Sequence, residues 1–448
     1  MKTFPTKTAS ILAIALSSFI ATTVKSQTWD TLGAGTDNAV YALAVYNGNL
    51  YAGGFFSNAG GVPANYIAEW NNDWQQANGT LSSYVTTLTG TDSALFAGGF
   101  FKDANNKQVN NIAQLNDSGW SAMSTGMQEC GGTEINAITT NNGLVYAGGS
   151  FSVAGTDSAS NIAVWNGKKW MPLGMGVDNT VNAIAIYDGN VYVAGNFSNA
   201  GGKPANYIAM WNGNSWSALG KGVSDPVSAL AVYNGELYVG GSFTKAGGKQ
   251  AYEIAKWNGT SWSTVGKGMD MYNEINTFAV YNDKLFVGGS FDSAGGKAIH
   301  YLASWNGNTW DSAGTGVNGA VNTLAVFNSK LFVGGWFTTA GGHNANYIAS
   351  YSESPSITGI ENVAVNSTVN VFPNPSNGKF NFEMTTDQQT ETKNHIEIYN
   401  MLGDKVYEAS MENGRNSVDL KGCNKGMYLY TVLASNGTVI NQGKIMVQ

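Results

Sequence analysis

A motif that returns seven times constrains the fold of this 448-residue chain more than any other feature. The motif is Gly-Gly-x-Phe, with Ala-Gly in one copy, and its phenylalanines are Phe56, Phe101, Phe151, Phe197, Phe243, Phe291 and Phe337. A tryptophan that opens a W-x-x-L-G-x-G stretch recurs with the same mean period, at Trp29, Trp74, Trp120, Trp170, Trp216, Trp262 and Trp310. Steps of 45 to 50 residues between the phenylalanines are typical of propellers and solenoids.

Each copy contains the pattern of four short strands. The stretch VSALAVYNGELYVGG alternates apolar and small residues around Asn234-Gly235, which predicts a two-residue hairpin. The stretch YEIAKWNGTSWSTVG predicts a second such hairpin around Asn258-Gly259, and the Gly-rich segment TKAGGKQA joins the two. Four antiparallel strands in each copy make one propeller blade, with the Phe and Trp side chains packed between blades. The glycines then allow close approach of backbones and supply positive φ at turns.

The two ends of the repeat array predict how the ring closes. The chain enters at TWDTLGAG, the fourth strand of a blade whose first three strands are missing, and leaves at YIASYSESP, a third strand ending at Tyr351. Residues 28–34 are therefore expected to complete the last blade, which would remove the exposed strand edges. The sequence predicts an all-β, seven-bladed β-propeller over residues 27–351, closed by the N-terminal strand.

Composition agrees with a turn-rich β protein and excludes some partners. Charged residues make up only 12% of the chain while glycine numbers 57, and the formal charge of −7 comes without a basic run, so nucleic acid is not an expected partner. Residues 1–26 have the pattern of a signal peptide, with Gln27 as the expected mature start and an uncleaved anchor as the alternative. No later segment qualifies as transmembrane. Cys130 and Cys423 fall in different predicted domains, so we expect two unpaired thiols.

The repeat LYVGGSF…AGG…IA.WNG..W..LG.G resembles kelch-type propeller repeats across residues 28–351. The tight W-N-G-x-x-W hairpin departs from the kelch pattern. The repeat as a whole more closely resembles the propeller repeats of fungal cell-polarity marker proteins and of many bacterial secreted proteins. This resemblance implies a fold and no particular activity, because propellers host unrelated functions.

The C-terminal stretches VFPNPSNGKFNFEM, IEIYNMLGDKVYE and VDLKGCNKGMYLYTVLASNGTVINQGKIMVQ resemble the type A sorting domain of the Bacteroidetes type IX secretion route. The resemblance implies a small Ig-like β-sandwich over residues 369–448 that is handled by the type IX secretion machinery. It also implies a protein that is secreted or attached to the outer-membrane surface. Residues 352–368 lack periodicity and are predicted to be a linker.

Asp followed by Ser or Thr and an apolar residue recurs, and it resembles the Bacteroidetes O-glycosylation tripeptide. The candidate acceptors are Thr31, Ser93, Ser158, Ser293 and Ser312. Asp-Ser is also common turn chemistry, which leaves a purely structural reading open.

The sequence offers few groups for catalysis. Histidine occurs only three times, and no zinc, EF-hand or nucleophile-elbow motif is present, so neither a metal nor a cofactor is expected. Glycosidases on propellers use facing carboxylates. The candidates for such a site lie in two loops between blades and are Glu129, Glu134, Asp270 and Glu274. These side chains could equally be solvated loop carboxylates, so a polysaccharide-active enzyme is the alternative function.

The variable position of Gly-Gly-x-Phe suggests a different site. It is aromatic only at Phe55, Phe100 and Trp336, in copies that become neighbours once the ring closes. We expect these three side chains to form an aromatic arc at one rim of the channel that stacks on sugars or contacts a protein surface. Local packing is the alternative for these rings. The function expected from the sequence is an exported binding or adhesion module for an extracellular polysaccharide or protein, and a purely structural surface component is a third option.

Overall fold

A computed structural model describes residues 26–129, 132–270, 273–354, 367–386, 394–400, 404–433 and 439–448. Residues 1–25 of the predicted signal peptide, and Cys130, lie outside the described residues. The chain divides into two compact units, one spanning Lys25–Ser354 and one that includes Pro355–Gln448. Among the described residues there is no helix with the length and apolar character needed to cross a bilayer.

In the residues that the structure describes, the first unit contains seven four-stranded antiparallel sheets, which we number as blades 1 to 7 in chain order. Their first strands are Val40–Tyr46, Val85–Gly90, Glu134–Asn141, Val181–Tyr187, Val227–Tyr233, Ile275–Tyr281 and Val321–Phe327. Their second strands are Asn49–Gly54, Leu95–Gly99, Leu144–Ser150, Asn190–Gly195, Glu236–Gly241, Lys284–Gly289 and Lys330–Gly335. Their third strands are Ile67–Trp70, Ile112–Asn116, Ile162–Trp165, Ile208–Trp211, Ile254–Trp257, Leu302–Trp305 and Ile348–Ser354. Their fourth strands are Trp74–Gln76, Gly119–Ala122, Trp170–Pro172, Trp216–Ala218, Trp262–Thr264, Trp310–Ser312 and, in blade 7, Ser26–Thr31.

A short ladder of two-residue strands joins the second and third strands of every blade. The first members are Asn58–Ala59, Asp103–Ala104, Val153–Ala154, Asn199–Ala200, Lys245–Ala246, Ser293–Ala294 and Thr339–Ala340. Their partners are Val62–Pro63, Lys107–Gln108, Asp157–Ser158, Lys203–Pro204, Lys249–Gln250, Lys297–Ala298 and His343–Asn344. In blade 3, Met127–Gln128 adds a third strand to this ladder.

Ser26–Thr31 supplies the outermost strand of blade 7 and so joins the two ends of the repeat array. It runs antiparallel to Ile348–Ser354, with Trp29 opposite Tyr351. The third strand continues three residues beyond the predicted propeller boundary at Tyr351, because residues 26–28 pair with residues 352–354. Blade 7 also shares a buried core with blade 1, in which Phe332 and Ile348 pack with Leu50. The all-β propeller class predicted from the repeat is confirmed.

A circle of indole hydrogen bonds links each blade to the one before it. In blade 3, the buried Trp170 donates from Nε1 to the carbonyl of Met123 in blade 2, over 2.9 Å. The same bond is made by Trp74, Trp120, Trp216, Trp262 and Trp310 to Leu32, Ala77, Leu173, Leu219 and Val265. Trp29 closes the circle by donating to Ala313 of blade 6 over 3.0 Å. The sequence period of the tryptophans is therefore the period of this inter-blade contact.

The paired glycines of the motif are required by close packing. A Cβ atom on Gly335 would lie 2.1 Å from the backbone oxygen of Ala320, which leaves no room for any side chain. A Cβ atom on Gly334 would lie 2.7 Å from Cγ1 of Val40 in the neighbouring blade. Ala194 occupies the matching first position in blade 4, so a methyl group can be accommodated there.

The two predicted Asn-Gly hairpins differ in the structure. Asn234 and Gly235 both have positive φ, at 49° and 74°, as a two-residue hairpin of this kind requires. The prediction of a two-residue hairpin at Asn258-Gly259 is wrong, because Trp257 pairs with Trp262 and leaves a four-residue loop. Asn258 Oδ1 accepts hydrogen bonds from the backbone N–H groups two and three residues ahead, over 3.0 and 2.9 Å, and this side-chain cap sets the longer loop.

The C-terminal unit is a small β-sandwich. One sheet contains Ser367–Phe372, Lys379–Thr386 and Gly414–Asp419. The other contains Lys405–Met411, Asn394–Tyr399, Gly426–Leu433 and Val439–Val447. Apolar residues of both sheets form one core, which includes Phe380, Phe382, Ile398, Val432 and Ile445. Its first strand begins at Ser367, two residues before the predicted domain boundary. Cys423 is a free thiol, partly buried against this core.

Candidate binding surface at the channel mouth

In every blade, the start of the first strand and the end of the second strand meet at the same end of the sheet, because the two strands are antiparallel. We call this end of the propeller the channel mouth. The residue between Gly-Gly and Phe is fixed there by a backbone hydrogen bond to the residue that precedes the first strand. Phe55 donates to Ala39 over 3.0 Å, and Trp336 donates to Ala320 over 2.8 Å.

The three predicted aromatic residues are exposed at this mouth. Phe55, Phe100 and Trp336 are 48%, 41% and 49% exposed, whereas the motif phenylalanines that follow them are fully buried. Exposed apolar rings of this size stand out on a soluble surface and mark recognition sites more often than single exposed aliphatic residues do.

Two tyrosines that were not predicted from the sequence extend this group of rings. Tyr84 stacks on Phe100 with ring centroids 5.6 Å apart and planes inclined by only 6°. Tyr84 also contacts Phe55 edge-on at 5.7 Å, and Tyr41 lies 6.2 Å from Trp336. We use the name aromatic arc for these five residues. The arc crosses blades 7, 1 and 2, which become neighbours through the pairing of the N-terminal strand.

Aligning the repeat copies at Tyr41 could have predicted that this residue belongs to the aromatic arc. The matching residues in blades 4, 6 and 7 are Asn182, Asn276 and Asn322, whose amides donate to the next blade's backbone. Tyr41 replaces this polar link with an aromatic ring. The change from asparagine to tyrosine is visible in the sequence when the repeat copies are compared at this position as well as within Gly-Gly-x-Phe.

Glu134 lies beside the aromatic arc. Burial raises the pKa of its half-buried carboxyl. Burial and then the charge of Glu134 raise the pKa of Tyr41 and of Tyr84, which places this carboxylate within electrostatic reach of both phenols. Across the described ranges, no hydrogen bond or ion pair engages its side chain. The arc therefore has an unpaired carboxylate next to it.

The other acidic candidates have different surroundings. Asp270 accepts backbone hydrogen bonds from Asp292 and Ser293 over 3.1 and 3.0 Å, so its carboxylate holds the hairpin that follows the second strand of blade 6. Asp37 and Asp178 do the same in blades 1 and 4. These side chains belong to a structural position of the repeat.

Glu274 accepts a hydrogen bond from the hydroxyl of Ser228 in blade 5, and Glu129 is an exposed loop residue. Within the described part of the chain, no hydrogen bond joins Glu134 to Asp270 or Glu274. The structure instead places Asp270 and Glu274 near a buried residue, Glu253.

Glu253 is fully buried, and it is not among the site residues predicted from the sequence. One carboxylate oxygen accepts a hydrogen bond from the backbone of Asn273 over 2.8 Å, and the other has no hydrogen-bond partner among the residues that the structure describes. Burial raises the pKa of Glu253 to about 7, the hydrogen bond from Asn273 opposes this rise, and the charges of Asp270 and Glu274 add to it. Other copies carry Tyr or Asn at this position, so the departure was visible in the repeat.

The candidate glycosylation acceptors lie at the surface or close to it. Thr31, Ser93 and Ser158 are exposed, whereas Ser293 and Ser312 are half-buried. The apolar residue that follows each acceptor is buried in all five cases. This burial accounts for the recurrence of the tripeptide within the repeat, and modification remains a prediction.

One group of metal-ligand side chains occurs in the described residues of the sandwich, at His395, Glu397 and Glu408. Lys405 lies between the two carboxylates, 2.7 Å from Glu397 and 3.0 Å from Glu408. Hydrogen bonds from Lys405 and Tyr399 lower the pKa of Glu397. The ammonium group already supplies the positive charge that these carboxylates bind.

Comparison with known proteins identifies the two units separately. Residues 370–448 match the family of secretion system C-terminal sorting domains, and residues 188–209 match a β-propeller domain of unknown function. A comparison with curated proteins gives no match.

Two solved structures are similar at low identity. One is the extracellular domain of a protein described as a hybrid two-component system from B. thetaiotaomicron, with a TM-score of 0.46, 11% identity, and coverage of 94% of this chain and 58% of that one. The other is the β-propeller domain of the Trilobed protease from Pyrococcus furiosus, with a TM-score of 0.33, 11% identity, and coverage of 62% and 96%. The present chain thus spans little more than half the length of the first structure.

The fold and the two domain-family matches define an exported β-propeller protein. More specifically, it is a propeller with a C-terminal sorting domain of the type IX secretion system, which directs it to the cell surface or out of the cell.

Proposed function

We propose that the protein is an extracellular binding module that holds a polysaccharide at the channel mouth through the aromatic arc. The observation that carries this proposal is the exposure of Trp336, Phe55 and Phe100 on three consecutive blades. Sugar rings pack their C–H faces on exposed aromatic rings, and several rings along one rim match an extended chain better than a compact ligand.

Glu134 supports a sugar ligand over a purely apolar protein contact. A free carboxylate beside the rings accepts hydrogen bonds from hydroxyl groups, which fix the register of a sugar stacked on an aromatic face.

A polysaccharide-active enzyme gains less support. Glycosidases need two carboxyl groups facing one sugar. Glu134 lies by the arc, but Asp270 and Glu274 are tied by hydrogen bonds to blades 5 and 6.

A glycan array with the mature full chain tests the proposal, using wild type, Trp336→Ala and Met175→Ala. Met175 is also exposed, at 73%, but lies outside the arc, so it serves as the matched control. We expect Trp336→Ala to weaken binding of the selected glycan on the order of tenfold or more, as loss of a central aromatic contact does. The melting temperature should not change, because the ring is half exposed.

Equal binding by wild type and Trp336→Ala would contradict the role of the arc. A blank array, together with Trp336-dependent capture of a surface protein, would instead favour a protein ligand.

A further inference from the structure

Glu134 continues the line of the aromatic arc into blade 3, because it holds the repeat position that Tyr84 holds in blade 2. Each of these two residues immediately precedes the buried apolar residue that pairs with the second glycine of the motif, Val85 in blade 2 and Ile135 in blade 3. The hydroxyl of Thr86 donates to the carbonyl of Ile135, which joins the two first strands at the channel mouth. The carboxyl group of Glu134 thus follows the ring of Tyr84 around the same rim.

Three polar side-chain groups beside the rings are available to a ligand, namely the hydroxyls of Tyr41 and Tyr84 and the carboxylate of Glu134. All three side chains are half-buried, and none of these groups makes a hydrogen bond or ion pair with a residue of described position. After burial, the charge of Glu134 raises the pKa of both tyrosines, so the carboxylate lies near both of them. The chain that enters blade 3 also contacts the arc, since a Cβ atom on Gly132 would lie 3.8 Å from Cε2 of Phe100.

The loops around the arc carry more negative than positive charge. The channel-mouth loops of blades 7, 1 and 2 and the loop that enters blade 3 comprise residues 313–320, 336–347, 32–39, 55–66, 77–84, 100–111 and 123–134. Their carboxylates are Asp37, Asp103, Glu129 and Glu134, and their basic side chains are Lys102, Lys107 and His343. Four carboxylates thus face two lysines and one histidine, which is counted as neutral at pH 7. This balance favours a ligand with positive charge.

A carboxylate beside several aromatic rings is an arrangement suited to an organic ammonium group. The faces of the rings attract the cation, and the carboxylate accepts its N–H bonds and compensates its charge. A neutral sugar hydroxyl would donate a hydrogen bond to Glu134 but would leave the half-buried charge uncompensated.

We propose that the polysaccharide bound at the aromatic arc contains amino sugars with protonated, non-acetylated amines, and that Glu134 binds such an ammonium group beside Tyr41 and Tyr84. This inference rests on the proposed function, because it assigns the charge of the ligand at the same arc.

Binding of two oligosaccharides of equal length to the mature full chain tests this assignment. One is a glucosamine hexamer in slightly acidic buffer, which keeps its amines protonated, and the other is its uncharged N-acetylated counterpart. A lysine hexapeptide supplies ammonium groups without sugar rings.

The test variant Glu134→Gln removes the charge and keeps the shape of the side chain. The control Asp117→Asn removes the same charge from an exposed position between the third and fourth strands of blade 2, on the other face of the ring. Trp336→Ala reports on the arc itself. Glu134→Gln should keep the melting temperature of wild type, because no described residue pairs with this carboxylate.

We expect wild type to bind the glucosamine hexamer roughly tenfold or more tightly than the acetylated hexamer, and Glu134→Gln to lose this preference. Asp117→Asn should bind within about twofold of wild type. Trp336→Ala should weaken binding of the glucosamine hexamer, because the ring and the carboxylate act on the same ligand.

The proposal is overturned if wild type binds the two hexamers equally, if Glu134→Gln and Asp117→Asn lose affinity equally, or if the lysine hexapeptide binds as tightly as the glucosamine hexamer. Trp336-dependent binding of uncharged glycans alone would overturn this assignment and leave the proposed function intact. Binding of every glycan without dependence on Trp336 would overturn both.

Discussion

The buried carboxyl of Glu253 should make the propeller less stable as the pH rises through the neutral range. In the unfolded chain this group ionises near its ordinary pKa of 4.5, whereas burial raises the pKa in the folded protein to about 7. Between these values the unfolded state has lost the proton that the folded state keeps, so the free energy of unfolding falls as pH increases. The gap corresponds to about 3 kcal/mol, fully expressed above pH 7.

Glu253→Gln should remove this pH dependence. The amide oxygen of glutamine can still accept the hydrogen bond from Asn273, and the side chain stays neutral at every pH. We expect the variant to exceed wild type in stability by less than about 1 kcal/mol at pH 5 and by about 3 kcal/mol at pH 8.

Urea unfolding followed by tryptophan fluorescence measures this difference. All 13 tryptophans lie between Trp29 and Trp336, so the signal reports the propeller and not the sandwich. Asp117→Asn removes one exposed carboxylate and is the control, with an expected change within about 0.5 kcal/mol at both pH values. Wild-type and Glu253→Gln curves that stay parallel from pH 5 to pH 8 would refute the reasoning.

Two further predictions test the closure and packing of the ring. Deletion of residues 27–31 removes the strand that completes blade 7. We expect either a large fall in melting temperature, measured by calorimetry, or self-association through the open strand edge, measured by light scattering. A stable monomer would disprove closure of the ring by this strand. Gly335→Ala should cost about 3 kcal/mol or more, because its methyl group meets the backbone oxygen of Ala320. Gly334→Ala meets side-chain atoms of Val40 and Thr323 and no backbone atom, so it should cost less, about 1 kcal/mol. Equal unfolding midpoints in urea for the two alanine variants would contradict this packing.

The repeat made most of the fold predictable, because blades packed around a ring must present the same residues to their neighbours. Trp29 and Tyr351 revealed the split blade since each belongs to an incomplete copy. The side chains that depart from the repeat one at a time were harder to place. Tyr41 lies within a register shift, between Val40 and Ala42, so simple strand alternation gives no guide to the direction of its side chain.

Asp270 was grouped with Glu274 as an irregular acidic loop, although its hydrogen bonds match those of Asp37 and Asp178. The burial of Glu253 depends on loops of two blades meeting over it, and such a tertiary contact has no signature in a single copy.

The pairing of Ser26–Thr31 with Ile348–Ser354 also sets the order of events during synthesis. Thr28 and Ser352 share a 2.8 Å hydrogen bond although 324 residues separate them in the chain. Ser26–Thr31 is therefore synthesised before the other described strands of the propeller and can pair only after the last of them has been made. Contacts so distant in sequence form slowly. A polypeptide released before residue 348 would lack the strand with which Ser26–Thr31 pairs, and its ring would stay open.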